Sequence, residues 1–216
     1  MKLRFASLAV LLLALAGALA AAPASAQTVL YNNATSASYS TGAWYFFNFA
    51  PITDSFTLSS PATVGGADAY FELDPGATVT SVDWDITSSP FGGTVYSSGT
   101  DSTPAPNTQV GTLFGFYPIF EEDIAIPSLS LSAGTYWFEI SNGAATYGPI
   151  GWDESDGPST GNQAGIGSIP SETFQILGTT VPEGGAPLLY LLLAAAACGG
   201  AIFFGSRTSL RTSELA

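Results

Sequence analysis

The middle of this 216-residue chain predicts an all-β fold, an antiparallel β-sandwich of jelly-roll-like topology. Three observations carry that expectation. Apolar residues alternate with polar ones without any helical period, the alternating runs are short and rich in aromatic or β-branched residues, and turn-forming residues bound them. In chain order, Trp44, Tyr45, Phe46 and Phe47 are too consecutive to form one face and read as a strand buried on both sides. Phe56 and Leu58 alternate with Ser55 and Thr57, and Asp74-Pro75-Gly76 reads as a turn. Val82, Trp84 and Ile86 then point to the core, leaving Asp83, Asp85 and Thr87 toward water. Ser89-Pro90 closes that run, and Ser97 to Asn107 reads as a long exposed connection. Leu129 and Leu131 alternate with serines. After Ser132-Ala133-Gly134, the residues Tyr136, Phe138 and Ile140 alternate with Thr135, Trp137 and Glu139 up to Asn142-Gly143. Gly148 to Pro170, rich in glycine and proline, reads as a second long loop carrying Trp152-Asp153-Glu154-Ser155-Asp156-Gly157. Phe174 and Ile176 mark the last strand, and no internal repeat points to a solenoid or propeller.

Charge is segregated along the chain. Lys2, Arg4, Arg207 and Arg211 are the only cations, there is no histidine, and 17 acids give a formal net charge of -13. Lys2 and Arg4 precede an apolar run, then Pro23 and Ala24-Ser25-Ala26 before Gln27, the layout of a cleaved signal peptide over 1–26. From Ala186 to Gly205 no residue is charged, and 20 residues of helix span roughly 30 Å, the hydrocarbon thickness of a bilayer. Arg207 and Arg211 follow as a stop-transfer signal. Both positive ends are therefore expected in the cytoplasm, with the acidic middle exported. The division is signal peptide 1–26, extracytoplasmic β-sandwich 27–178, linker 179–185, transmembrane helix 186–205 and cytoplasmic tail 206–216.

Val181-Pro182-Glu183-Gly184-Gly185, an apolar helix and then arginines resemble the C-terminal sorting signal of PEP-CTERM proteins. That resemblance covers about thirty residues of tail, and Pro182 and Glu183 match the first two positions of the family's Pro-Glu-Pro motif while Gly184 replaces its second proline. It implies a bacterial exported protein processed by an exosortase, with a final site at the cell surface or in the extracellular matrix. The run from Trp152 through Gly157-Pro158-Ser159 to Phe174 is similar to exported domains of the same group. Asn33-Ala34-Thr35 fits a glycosylation acceptor, a reading the bacterial resemblance discounts.

Chemistry is bounded by subtraction. Without histidine, and with no lysine or arginine between Ala6 and Ser206, triads, Schiff bases and phosphate clamps are excluded. The one cysteine, Cys198, lies in the apolar tail, and zinc sites of the usual kind are excluded with it. The acidic balance argues against nucleic acid as a partner. The expectation is therefore a non-enzyme with a structural or adhesive role. One alternative is a carbohydrate-binding module, with Trp137 and Trp152 as stacking platforms for polysaccharide. A second, weaker alternative is a carboxylate glycosidase using Asp153, Glu154, Asp156 and Glu172, or Glu121, Glu122 and Asp123. Calcium is the cofactor this composition admits, with Asp153, Glu154 and Asp156 as candidate ligands.

Overall fold

The computed structural model describes residues 27–34, 42–46 and 50–180. Ala24, Ala26 and the rest of the signal segment, Val181 to Gly185, the apolar helix and the two arginines after it lie outside these residues; Gln27 is the first described. The chain divides into two compact units after Thr179, and all the described residues except Thr180 belong to the first.

The described residues form two antiparallel sheets packed as a β-sandwich. In the first sheet β1 (Thr28–Asn32) pairs with β14 (Phe174–Thr180), and β14 adjoins β4 (Ala62–Leu73). On its other edge β4 pairs with β8 (Tyr117–Leu131), which pairs with β7 (Ala105–Leu113). Further along β4 sits β10 (Ile150–Ser155), flanked by β2 (Ala43–Tyr45) and β13 (Ser171–Glu172). The second sheet runs β12 (Gly167–Ile169), β11 (Gly161–Gln163), β3 (Ile52–Leu58), β9 (Gly134–Ala145), β5 (Val79–Ser89) and β6 (Gly92–Asp101).

Alternation builds the core. Ile52, Phe56 and Leu58 from β3, Val82, Trp84 and Ile86 from β5, and Tyr136, Phe138 and Ile140 from β9 are all buried against the first sheet. Each such side chain contributes roughly 1.5–3 kcal/mol by leaving water. In β4 the inward set passes from Ala62 and Val64 to Ala67, Ala69 and Phe71, a break of period explained by a bulge between Val64 and Gly66 opposite β8. Asp74-Pro75-Gly76 makes the expected turn: Ala77 N donates to Asp74 O at 2.9 Å, and Gly76 takes φ +88°.

Four expectations are corrected. Ser97 to Asp101 is strand, paired through β6 with β5, so the connection to β7 is only residues 102–104. The stretch from Gly148 to Pro170 is not one long loop but carries β10, β11 and β12. Asn142-Gly143 does not end its strand; β9 bulges there, with Asn142 at φ +47°, and continues to Ala145. Tyr45 is 37% exposed, so the aromatic run is not buried on both sides. At the C-terminal edge, β14 extends two residues past 178, to Thr180.

Candidate functional site

The chemistry of the sandwich concentrates where β10 and β13 meet β3. Strand pairing sets Glu154 opposite Glu172 and Ser155 opposite Ser171. Opposed residues share a face, so the two glutamates project together, while the serines project together on the reverse side. Asn33, at the end of β1, ties the serine side: its Nδ2 donates to Ser159 Oγ at 2.7 Å, to Glu172 O at 2.7 Å, and to Ser171 Oγ, and its own carbonyl accepts from Ser155 Oγ at 2.5 Å. Asp54 enters from β3, on the same inward face as Phe56. Its Oδ2 accepts from Glu172 N at 2.7 Å, Ser159 Oγ at 3.0 Å and Ser171 Oγ at 3.1 Å. This network clamps the first sheet to the second. Asn33 is fully buried with its amide engaged, which removes it as a glycan acceptor.

A methyl group at Gly157 would sit 1.6 Å from Asn33 Oδ1. Gly157→Ala is therefore expected to push Asn33 out of its bonds and cost about 2–4 kcal/mol by thermal unfolding. Gly92→Ala is the control, since nothing lies within 4 Å of its added carbon.

The sequence-read metal set does not converge. Asp153 and Glu154 are adjacent on β10 and so project to opposite faces, and Asp156 lies exposed beyond the strand. Asp153 is fully buried, accepts from Thr173 Oγ1 at 2.9 Å, and is pushed up to about 8, first by burial. Glu154 accepts the Trp44 indole N–H at 2.6 Å. Glu172 is fully buried, neither of its carboxylate oxygens has a hydrogen-bond partner, and burial, then Asp54, Glu154 and Asp153, drive it well above the usual range. Burial likewise raises Asp54 to about 6.

The acids at 121–123 also separate. Glu122 points inward, fully buried and raised to about 7 by burial, with Oε2 accepting from Asn107 N at 3.2 Å. Glu121 and Asp123 project outward beside Asp68, their ligand atoms within 4.8 Å of one another. Asp68 hydrogen-bonds to Asp123, and burial followed by repulsion from Asp123 and Glu121 raises it to about 7. A shallow cavity of about 210 Å³ adjoins, lined by Gln27, Gly65, Gly66, Asp68 and Asp123. Nothing in the sequence singles out Asp68, because a lone acid among alanines carries no pattern.

The two candidate tryptophans have opposite fates. Trp152 is not on a loop: it is a core residue of β10 with 0% exposure, so neither ring face is open to a sugar. Trp137 lies half-buried on the outer face of the second sheet, between Ser55 of β3 and Thr87 of β5. Glu139 follows on the same face between Thr53 and Asp85, raised to about 7 by burial and then by Asp85. No protein-family model matches the chain, and no curated protein matches it.

Proposed function

We propose that this is an exported, membrane-anchored or exosortase-sorted protein whose acidic sandwich, jelly-roll-like in topology, has a structural or adhesive role at the cell surface or in the matrix. The single observation that carries the reading is the confinement of all four cations to the two ends of a 216-residue chain. It entails a cleaved signal helix, a transmembrane helix at 186–205 and a binding or scaffolding module rather than an enzyme. Nesting of the β4–β8 pair within the β3–β9 pair supports the jelly-roll-like topology. Fractionation with N-terminal sequencing tests the reading: a membrane or surface fraction beginning at Gln27 is expected, and an intact soluble chain beginning at Met1 refutes it.

Trp137 favours carbohydrate as what the module adheres to. A half-buried indole on the outer sheet face, with the Ser55 hydroxyl beside it and the carboxylates of Glu139 and Asp85 next along the same face, matches the stacking-plus-hydrogen-bond demands of a sugar ring. Trp137→Ala is expected to weaken retention on the matching polysaccharide at least tenfold while the melting temperature moves by no more than a few degrees. Unchanged retention across a polysaccharide panel leaves the structural role alone standing.

A further inference from the structure

The two ends of the sandwich differ in charge. One end is built by the turn at 59–61 between β3 and β4, the β5–β6 hairpin tip at Pro90-Phe91, and the β8–β9 turn at Ser132-Ala133. β14 leaves the domain at this same end. Its Phe174 meets Trp152, which pairs with Phe71 late in β4, whereas a Cβ added at Gly178 would strike the Thr63 carbonyl near the start of β4. Residues 55–67, 86–100, 124–138 and 173–182, which form this end, contain no acid and no base. The nearest carboxylates along their strands are Asp54 and Asp85, and roughly 13 Å of strand separates each from its end at Leu58 or Ser89. That exceeds the screening length of ~8 Å at physiological salt, so a charged surface laid on this end feels little of them. The other end carries Glu72 and Asp74 where β4 finishes.

The uncharged end also shows apolar side chains to solvent. Phe91 is 39% exposed, and on β6 Val95 and Tyr96 are 54% and 41% exposed. Tyr96 leans edge-on against Tyr136 at 5.3 Å, and the Tyr136 hydroxyl donates to Ser132 O at 2.9 Å, which ties the hairpin to the neighbouring turn. Phe91 sits at φ +52°, a backbone region that costs a bulky residue and that glycine fills freely. We infer that this end is a lipid-contacting foot, with Phe91, Val95 and Tyr96 seated in the interfacial layer of a bilayer containing anionic lipid. The inference rests on the membrane anchoring proposed above. Thr180 is the last described residue and the apolar segment begins at Ala186, so the chain between them reaches at most about 20 Å. The end from which β14 leaves is therefore the part of the domain that the tail keeps nearest the lipid. A strongly acidic domain meets anionic headgroups with repulsion on its carboxylate-bearing faces, and this end is the one that escapes it.

Phe114 supplies the matched control. It too precedes a glycine in a hairpin turn, at the same φ of +52°, and it is 77% exposed at the opposite end of the sandwich. The full chain carries Cys198→Ser and a single new cysteine, Phe91→Cys or Phe114→Cys, labelled with a polarity-sensitive dye. It is reconstituted into vesicles of phosphatidylethanolamine and phosphatidylglycerol. The dye at position 91 is expected to emit toward the blue and to be quenched about threefold more by nitroxide-headgroup lipid than the dye at position 114. Both labelled chains should unfold within about 2 °C of the parent, since the replaced rings are exposed. Val95→Asp places a carboxylate in the patch and should cut the quenching at position 91 about twofold. Quenching unchanged by Val95→Asp reports tethering alone and overturns the contact. Equal quenching at the two positions, in a chain that resists carbonate extraction, overturns the foot and leaves the anchor standing. Release of the chain by carbonate sinks the anchoring and the foot with it. Cross-linking between copies through position 91 without lipid quenching makes this end a self-interface, which also overturns it.

Discussion

In the presence of chelator, the melting temperature is expected to fall by about 10–20 °C as pH rises from about 4 to about 8. Most proteins lose stability toward acid, because their carboxylates are charge-paired when folded. Here no cation is available for pairing, and six acids of the sandwich are buried: Asp54, Asp68, Glu72, Glu122, Asp153 and Glu172. Burial raises every one of them in the folded state. The sign follows directly. Below about pH 4 both states hold these protons, so no ionisation opposes folding. Above that, the unfolded chain ionises while the folded one resists, and stability drains until pH passes the folded values, about 6 for Asp54 and about 8 for Asp153. Each pH unit of elevation is worth ~1.4 kcal/mol, so these two fully buried groups, raised from 3.8 to about 6 and about 8, put at most on the order of 9 kcal/mol under pH control. That is a large share of a typical folding free energy. Thermal unfolding across this range checks it, and Asp153→Asn should flatten the slope. A melting temperature that is level or rises toward pH 8 in chelator contradicts the burial of these acids.

How much of this is legible in the sequence depends on what each strand is made of. Val82-Asp83-Trp84-Asp85-Ile86 announces its two faces because large apolar and charged residues alternate, and all three inward residues are buried. The edge strand β6 gives no such signal. Gly92 to Asp101 is mostly glycine, serine and threonine, it pairs on one side only, and its side chains contribute little to the core. β10 is hidden for a different reason. Gly151, Asp153 and Glu154 read as loop residues, because sequence alone does not reveal that an acid is buried beneath a neighbouring strand. Asp54 is available to the same alternation that finds Phe56 and Leu58, being two residues before Phe56 and therefore on its inward face. Its chemistry escapes notice because one acid in an apolar strand looks incidental until Asn33, Ser159 and Ser171 arrive from elsewhere in the chain. Only the fold brings them together.

Trp152→Ala is expected to cost about 4 kcal/mol and to lower the melting temperature by roughly 10–15 °C. Its ring meets Phe138 of the opposite sheet edge-on, with centroids 5.7 Å apart, and Phe174 of β14 at 5.8 Å. The indole N–H donates to Thr173 O at 2.9 Å, in the backbone segment that also carries Glu172 and the Asp153 contact. Truncation therefore opens a cavity between the sheets and leaves a buried carbonyl without its donor. Trp152→Phe keeps most of the packing and loses only the hydrogen bond, so about 1–3 kcal/mol is expected. The contrast with Trp137 decides how a binding assay is read. Loss of polysaccharide retention in Trp152→Ala reports a damaged sandwich, whereas the same loss in Trp137→Ala, at unchanged melting temperature, reports a missing contact. If Trp152→Ala melts within a degree or two of the parent, its ring does not bridge the sheets, and the wall holding Glu154 and Glu172 in place is not the one described.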